Sequence, residues 1–211
     1  MITGFFGLVL AYVLGSVPTG FLTAKVLKKI DIRKHGSGNM GATNVFRVVG
    51  AKWGIFVMAA DIFKGYAAVA ALHPLFFGDS YGVSLLVTRM TLGFAAVAGH
   101  NWTIFLGFKG GKGVATTCGV FMAIAPASTL CALAVWFLVV WRTKYISLAS
   151  IVAAATCPGW IWLFYRNEIA FSILFGVSIF IPILIIYTHR PNIARLKAGT
   201  ESKITDRSKR I

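Results

Sequence analysis

Apolar residues run along the chain in long blocks, separated by short stretches rich in Gly, Asn, Lys and Arg. Seven blocks read as helices: 2–24, 50–73, 83–105, 114–125, 128–141, 146–165 and 168–187. Several approach or exceed the roughly 18–20 apolar residues that cross a bilayer. A spanning helix satisfies its own backbone polar groups, so the pattern predicts an all-α, polytopic integral membrane protein. The chain reads as one transmembrane domain, 1–211, with a basic tail at 203–211. The fourth and fifth blocks form one apolar run, divided at Ala125-Pro126. As a single helix that run would be about 43 Å long, too long for a core of roughly 30 Å without strong tilt. Proline offers a turn there, so two short helices are expected.

Composition agrees with this reading. The chain is 57% hydrophobic with a mean hydropathy of +0.78, and 13% of its residues are charged, against about 25% in soluble domains. The net charge of +15, from 21 Lys and Arg against 6 Asp and Glu, would suggest nucleic-acid binding in a soluble protein. In a membrane protein the first cause is the gathering of basic residues in cytoplasmic loops. Seven spans put Lys25, Lys28, Lys29, Arg33, Lys34 and Arg47 on the same side as Lys109, Lys112, Arg142, Lys144 and the basic tail, leaving Arg166 alone in the outer loops. The expected orientation is therefore N-terminus outside and C-terminus in the cytoplasm. No basic region precedes the first apolar block, so a cleaved signal peptide is not expected. Cys118, Cys131 and Cys157 sit at unrelated spacings in apolar segments and read as small packing residues, without a disulfide or metal framework.

Three polar clusters remain, all on the predicted cytoplasmic side: Gly36 to Arg47, Gly99 to Gly113, and His189 to Lys203. In the second, Gly110-Gly111-Lys112-Gly113 opens directly into a helix. Glycine lets backbone N–H groups converge on an anion, and a helix N-terminus adds unpaired donors and partial positive charge. The stretch has the character of a phosphate site, but lacks the first glycine and the Ser or Thr after lysine that a Walker A loop requires. In the first cluster, Ser37 and Asn39 lie in a Gly-rich turn, and Thr43, Asn44 and Arg47 follow at helical spacing. In the third, Pro191 and Gly199 bracket a short helix on which His189, Asn192 and Arg195 share a face. Each cluster has a plainer reading: a flexible basic loop, helix capping, or a tail that binds lipid head groups. Within the apolar blocks, Asp61, Lys64 and Arg89 are expected to pair with one another, since a lone charge at mid-bilayer costs roughly 2.5–3.5 kcal/mol.

Covalent catalysis has no visible machinery. A nucleophile triad, a carboxylate pair and a metal cluster are all missing, and the fifth residues after the four histidines are Met40, Gly78, Phe105 and Ala194, so no H-x₄-D acyltransferase signature exists. Three motifs, S-G-N-M-G-A-T-N-x-x-R at Ser37–Arg47, G-H-x₄-F-L-G-F-K-G-G-K-G-V-A-T at Gly99–Thr116 and H-R-P-N-I-x-R-L-x-x-G-x-E-x-K at His189–Lys203, closely resemble those of the bacterial acyl-phosphate:glycerol-3-phosphate acyltransferases, the PlsY family. The resemblance covers nearly the whole chain, and Thr103 departs from it where the family usually has proline.

The resemblance implies fatty acyl transfer from acyl phosphate to the 1-hydroxyl of glycerol 3-phosphate, giving lysophosphatidic acid and phosphate. Gly110, Gly111, Lys112, Gly113 and Thr116 would hold the acyl phosphate head, and Ser37, Asn39, Arg47, His189 and Asn192 the glycerol 3-phosphate. Lys112, His189, Asn192, Arg47 and Ser37 would be the catalytic set. Thr43, Asn44, Lys109 and Glu201 complete the substrate-binding set, Glu201 by orienting basic side chains, and His100 is expected to be structural. The proton acceptor is either the donor phosphate or His189. The partners would be the two substrates and the lipid bilayer, with no cofactor, metal or nucleic acid. The chain would be a monomer in the bacterial inner membrane, its active site facing the cytoplasm. The competing reading is a transporter of a phosphorylated anion, which half-helices with glycine would also suit.

Overall fold

The computed structural model describes residues 2–78 and 82–206. Arg207, Lys209 and Arg210 of the predicted tail, and residues 79–81, lie outside the described residues. Among the described residues all regular structure is helical: α1 (Ile2–Ser16), α2 (Thr19–Lys28), α3 (Ala42–Val48), α4 (Ala51–Ala70), α5 (Leu72–Phe77), α6 (Gly82–Asn101), α7 (Val114–Ile124), α8 (Pro126–Thr143), α9 (Ile146–Tyr165), α10 (Phe171–Thr188) and α11 (Arg190–Lys197). Among the described residues, six apolar stretches are long enough to cross a bilayer: Ile2–Lys28, Ala51–Phe77, Gly82–Leu106, α8, α9 and α10. α7 is equally apolar but has 11 residues, about 16 Å of helix. The break between α7 and α8 falls where proline is placed: Ala125 leaves the helical region at φ −139°, ψ 67°, and Pro126 opens α8.

The first block differs from the continuous helix expected over 2–24. It divides at Val17-Pro18 and resumes to Lys28. Proline has no N–H and disfavours a helical residue before it. At this break the carbonyl of Val17 has no partner four residues on; it accepts from Thr19 N at 3.0 Å and from Lys64 Nζ at 3.1 Å. Lys64 also pairs with Asp61 at 2.9 Å, and Thr19 Oγ1 donates to the same carboxylate at 3.2 Å. The expected Asp61–Lys64 pair thus exists, but Arg89 is not part of it; the helix break and Thr19 fill the role assigned to it.

Helix pairs α1–α6 and α4–α7 cross at very short range because glycine faces backbone on both sides. A Cβ on Gly15 would lie 2.0 Å from the Ala96 carbonyl oxygen, and one on Gly99 2.1 Å from that of Tyr12. In the second pair, a Cβ on Gly65 would lie 2.1 Å from the Thr116 carbonyl oxygen and one on Gly119 1.9 Å from that of Ile62. Small residues give close approach where lipid offers no hydrophobic drive for association. These two crossings hold α6 and α7 so that the loop between them starts and ends on fixed supports. At its start, Thr103 is fully buried and donates to the Ser16 carbonyl at 2.6 Å, tying the loop to the end of α1 without proline. The α8–α9–α10 layer packs against α7 through a core of Phe121, Ala154, Cys157, Leu174, Ile181 and Ile185.

Replacing Gly119 or Gly65 with alanine places a methyl group on backbone atoms that cannot rotate aside. Each variant is expected to lose about 1–3 kcal/mol of stability, read as a lower unfolding midpoint in detergent. Gly176→Ala in α10, where a Cβ meets nothing within 4 Å, is the matched control and should leave the midpoint unchanged.

Candidate active site

All three polar clusters meet at one end of a single cavity of about 330 Å³. α3 brings Arg47 and Thr43; the preceding turn brings Ser37 and Asn39. The α6–α7 loop brings Lys112 and Gly113; the α10–α11 junction and α11 bring His189 and Asn192, and the segment after α11 brings Glu201. The other end of the cavity is apolar and runs between α4, α7, α8, α9 and α10.

Lys112 is the hub of the polar end. Its Nζ donates to Asn192 Oδ1. Asn192 Nδ2 donates to Glu201 Oε1 at 2.7 Å, and Ser147 Oγ donates to the same oxygen at 2.8 Å. Arg195 Nε closes the set on Glu201 Oε2 at 2.7 Å. Burial draws the Lys112 ammonium down to about 8, against the opposing pull of Glu201 and with the help of Arg195 and Arg47. Burial acts to raise the Glu201 carboxyl, but the hydrogen bonds from Asn192, Ser147 and Arg195 outweigh it and leave the group below the usual range.

Arg47 is buried on α3, and its Nη2 reaches across to the Ser202 carbonyl at 2.6 Å. Its Nε is buried without a hydrogen-bond partner among the described residues. Desolvation lowers its pKa, yet arginine keeps its charge. His189 caps the join of α10 and α11, with Nδ1 at 2.8 Å from the Ile185 carbonyl. That contact assigns the proton to Nδ1 and leaves Nε2 as the acceptor. Burial, followed by the charge of Lys112, takes the imidazole down to about 4, so the ring is neutral at pH 7.

α7 contributes its N-terminus. Gly113 caps it in the left-handed region at φ +78° with no side-chain cap, so first-turn amides remain without intrahelical partners. Gly113, Val114 and Ala115 line the cavity beside Lys112. Positive charge from one lysine, one arginine and one helix end converges on a volume that suits a phosphate group.

Several predicted contacts turn out to be scaffolding. Gly110 and Gly111 do not offer free N–H groups: these donate to the carbonyls of Asn101 and His100, both at 3.0 Å. A Cβ on Gly110 would lie 2.0 Å from the His100 oxygen, and one on Gly111 2.0 Å from His100 Nε2, so both are glycine because the loop lies flat on the end of α6. Asn44 is fully occupied: Nδ2 donates to the carbonyls of Ile32, His35 and Asn39, and Oδ1 accepts from Ser37 N. It shapes the turn that carries Ser37. Thr116 is buried against α4 and does not line the cavity, and Lys109 is exposed outside it. Glu201 orients Asn192. His100 is buried with Nδ1 at 3.7 Å from Asp61 Oδ1, and its backbone supports Gly111. Sequence reasoning missed Ser147, an isolated serine at the start of an apolar helix with no motif around it. It also missed Ser202, whose contribution is a backbone carbonyl.

The sequence profile described as Glycerol-3-phosphate acyltransferase matches residues 5–199. A glycerol-3-phosphate acyltransferase of Geobacter sulfurreducens is 45% identical over 193 residues, covering 92% of this chain and 93% of that protein. One from Fusobacterium nucleatum is 41% identical over 196 residues, covering 93% and 95%. The fold is similar to a crystal structure of PlsY, an integral membrane glycerol 3-phosphate acyltransferase, in its glycerol 3-phosphate form, with 40% identity, a TM-score of 0.80 and coverage of 95% and 94%. The lysophosphatidic acid form of PlsY gives 39% identity and a TM-score of 0.78 over the same shares. These likenesses remove the transporter reading: the chain belongs to the glycerol-3-phosphate acyltransferase family of integral membrane enzymes.

Proposed function

We propose that the chain transfers a fatty acyl group from acyl phosphate to the 1-hydroxyl of glycerol 3-phosphate, releasing lysophosphatidic acid and inorganic phosphate. One observation carries this reading: the cavity joins a cationic end, built from Arg47, Lys112 and the α7 N-terminus, to an apolar end within the helix bundle. Both substrates carry phosphate, and the donor also carries a fatty chain. The solved relatives in glycerol 3-phosphate and lysophosphatidic acid forms are consistent with the same acceptor and product here.

The hydroxyl oxygen attacks the acyl carbon, the new ester bond forms, and the carbon–oxygen bond to phosphate breaks. Phosphate is already a good leaving group, so no cofactor is called for. Lys112 and the first-turn amides of α7 hold the donor head and stabilise charge on the carbonyl oxygen as it develops. Ser37, Asn39, Thr43, Arg47, His189 and Asn192 position glycerol 3-phosphate. The hydroxyl proton passes to a phosphate oxygen of the donor. A phosphoryl group with its second pKa near 6 is the stronger base beside an imidazole held at about 4. The chain acts as a monomer in the bacterial inner membrane with its polar end in the cytoplasm. The gathering of basic residues beside that end supports this orientation.

Purified protein in detergent, given palmitoyl phosphate and glycerol 3-phosphate, is expected to release inorganic phosphate. Lys112→Ala and Arg47→Ala should each abolish release while the protein still purifies as a folded species; full activity in either would refute the assignment. The pH dependence follows from Lys112. Its charged form prevails below about 8 and is lost as pH rises through that value. The profile of kcat/KM should therefore fall above about pH 8, and Lys112→Arg, if it retains turnover, should move that fall upward.

A further inference from the structure

On three of its walls the apolar end of the cavity stops at a similar depth, while on α8 its lining runs on to Thr129 near the outer end of that helix. Its deepest lining residue is Phe121 on α7, Ile181 on α10 and Cys157 on α9. Measured along the helices from Lys112, His189 and Ser147, these lie roughly 12–15 Å from the polar end at 1.5 Å per residue. That is about half the roughly 30 Å hydrocarbon core of a bilayer, the reach of one leaflet's acyl chains. Beside the cavity, behind the wall made by α7 and α10, lies a second, much smaller void of about 20 Å³, bounded on its far side by Gly93, Phe94 and Val97 of α6. The two spaces share one wall: Thr117, Phe121 and Ile181 line both. Phe121 and Ile181 are buried members of the main core, and the phenyl ring is the largest group in that partition.

We propose that Phe121, backed by Ile181, is the chain-length ruler of the enzyme: it stops the end of the donor's fatty chain and closes off the void behind it. The inference rests on the acyl-phosphate reading given above. The carboxyl-derived head is fixed at Lys112, so every added methylene pushes the other end of the chain toward Phe121. A close-packed wall resists such additions. Removing the phenyl group joins the two spaces and gives the end of a longer chain room to turn behind α7, without touching the polar end. Filling the floor from α9, where Ala154 and Cys157 line the cavity, shortens it.

The test is a series of acyl phosphates of increasing chain length, with kcat/KM for each divided by that for the shortest donor used. Phe121→Ala is expected to move the optimum to longer donors and raise the long-to-short ratio by about tenfold, the scale of methylene discrimination in an apolar pocket. Ala154→Phe should move the optimum the opposite way. Opposite shifts in the two variants establish the ruler, and a shift in either one alone, should the other not fold, does the same in that direction. An unmoved profile in active variants overturns it, and so does an equal loss with every donor including the shortest. If wild-type protein uses no acyl phosphate of any length, the donor assignment itself fails, a result distinct from an unmoved profile.

Discussion

An ammonium inside an apolar bundle must be met by oxygen, and Lys112 meets it through Asn192. From that contact a chain of hydrogen bonds runs to Glu201 and on to Ser147 and Arg195. It ties the α6–α7 loop to α11, to the segment after α11, and to the start of α9. Each member answers the desolvation cost of the next, which is the condition under which a buried polar network is tolerated. Arg47 joins the same segment through the Ser202 carbonyl. The first, second and last thirds of the chain are therefore fastened at one place, and the cationic end of the cavity has the shape those bonds leave.

Close glycine crossings do the corresponding work within the bilayer. α4 against α7, and α1 against α6, meet with no room for a side chain. The base of the α6–α7 loop is set by backbone contacts, with Gly110 and Gly111 lying on His100 and Asn101. Rigid support beneath Lys112 matters more than extra contacts to substrate, because catalysis by positioning and charge depends on groups that do not move as charge develops. The glycines of this loop serve the lysine by letting it be placed.

Helices and their approximate ends could be read from apolar block length, and the α7–α8 break from Pro126. Residues that bring charge or polar groups into the site, Arg47, Lys112, His189 and Asn192, were legible because charged, imidazole and amide groups stand out between apolar blocks. The division of labour among glycine, asparagine and threonine was not. Asn39 and Asn44 look alike in sequence and both border the cavity, yet Asn44 spends both its NH2 and its oxygen on distant backbone groups while the oxygen of Asn39 accepts from the nearby Gly41 N. Which carbonyl an N–H meets is decided by tertiary approach, and local pattern does not encode it. The same holds for the break at Pro18: proline announces a distortion, but not that the carbonyl of Val17 would receive Lys64.

The most direct test of this account is a double-mutant cycle on the link between the two ends of the chain, Lys112→Met and Asn192→Ala, read as unfolding free energy in detergent. A shared buried network predicts coupling of at least about 1 kcal/mol between the two changes. Effects that add to within about 0.5 kcal/mol would show that Lys112 and Asn192 do not hold one another, and the proposed organisation of the site would fall.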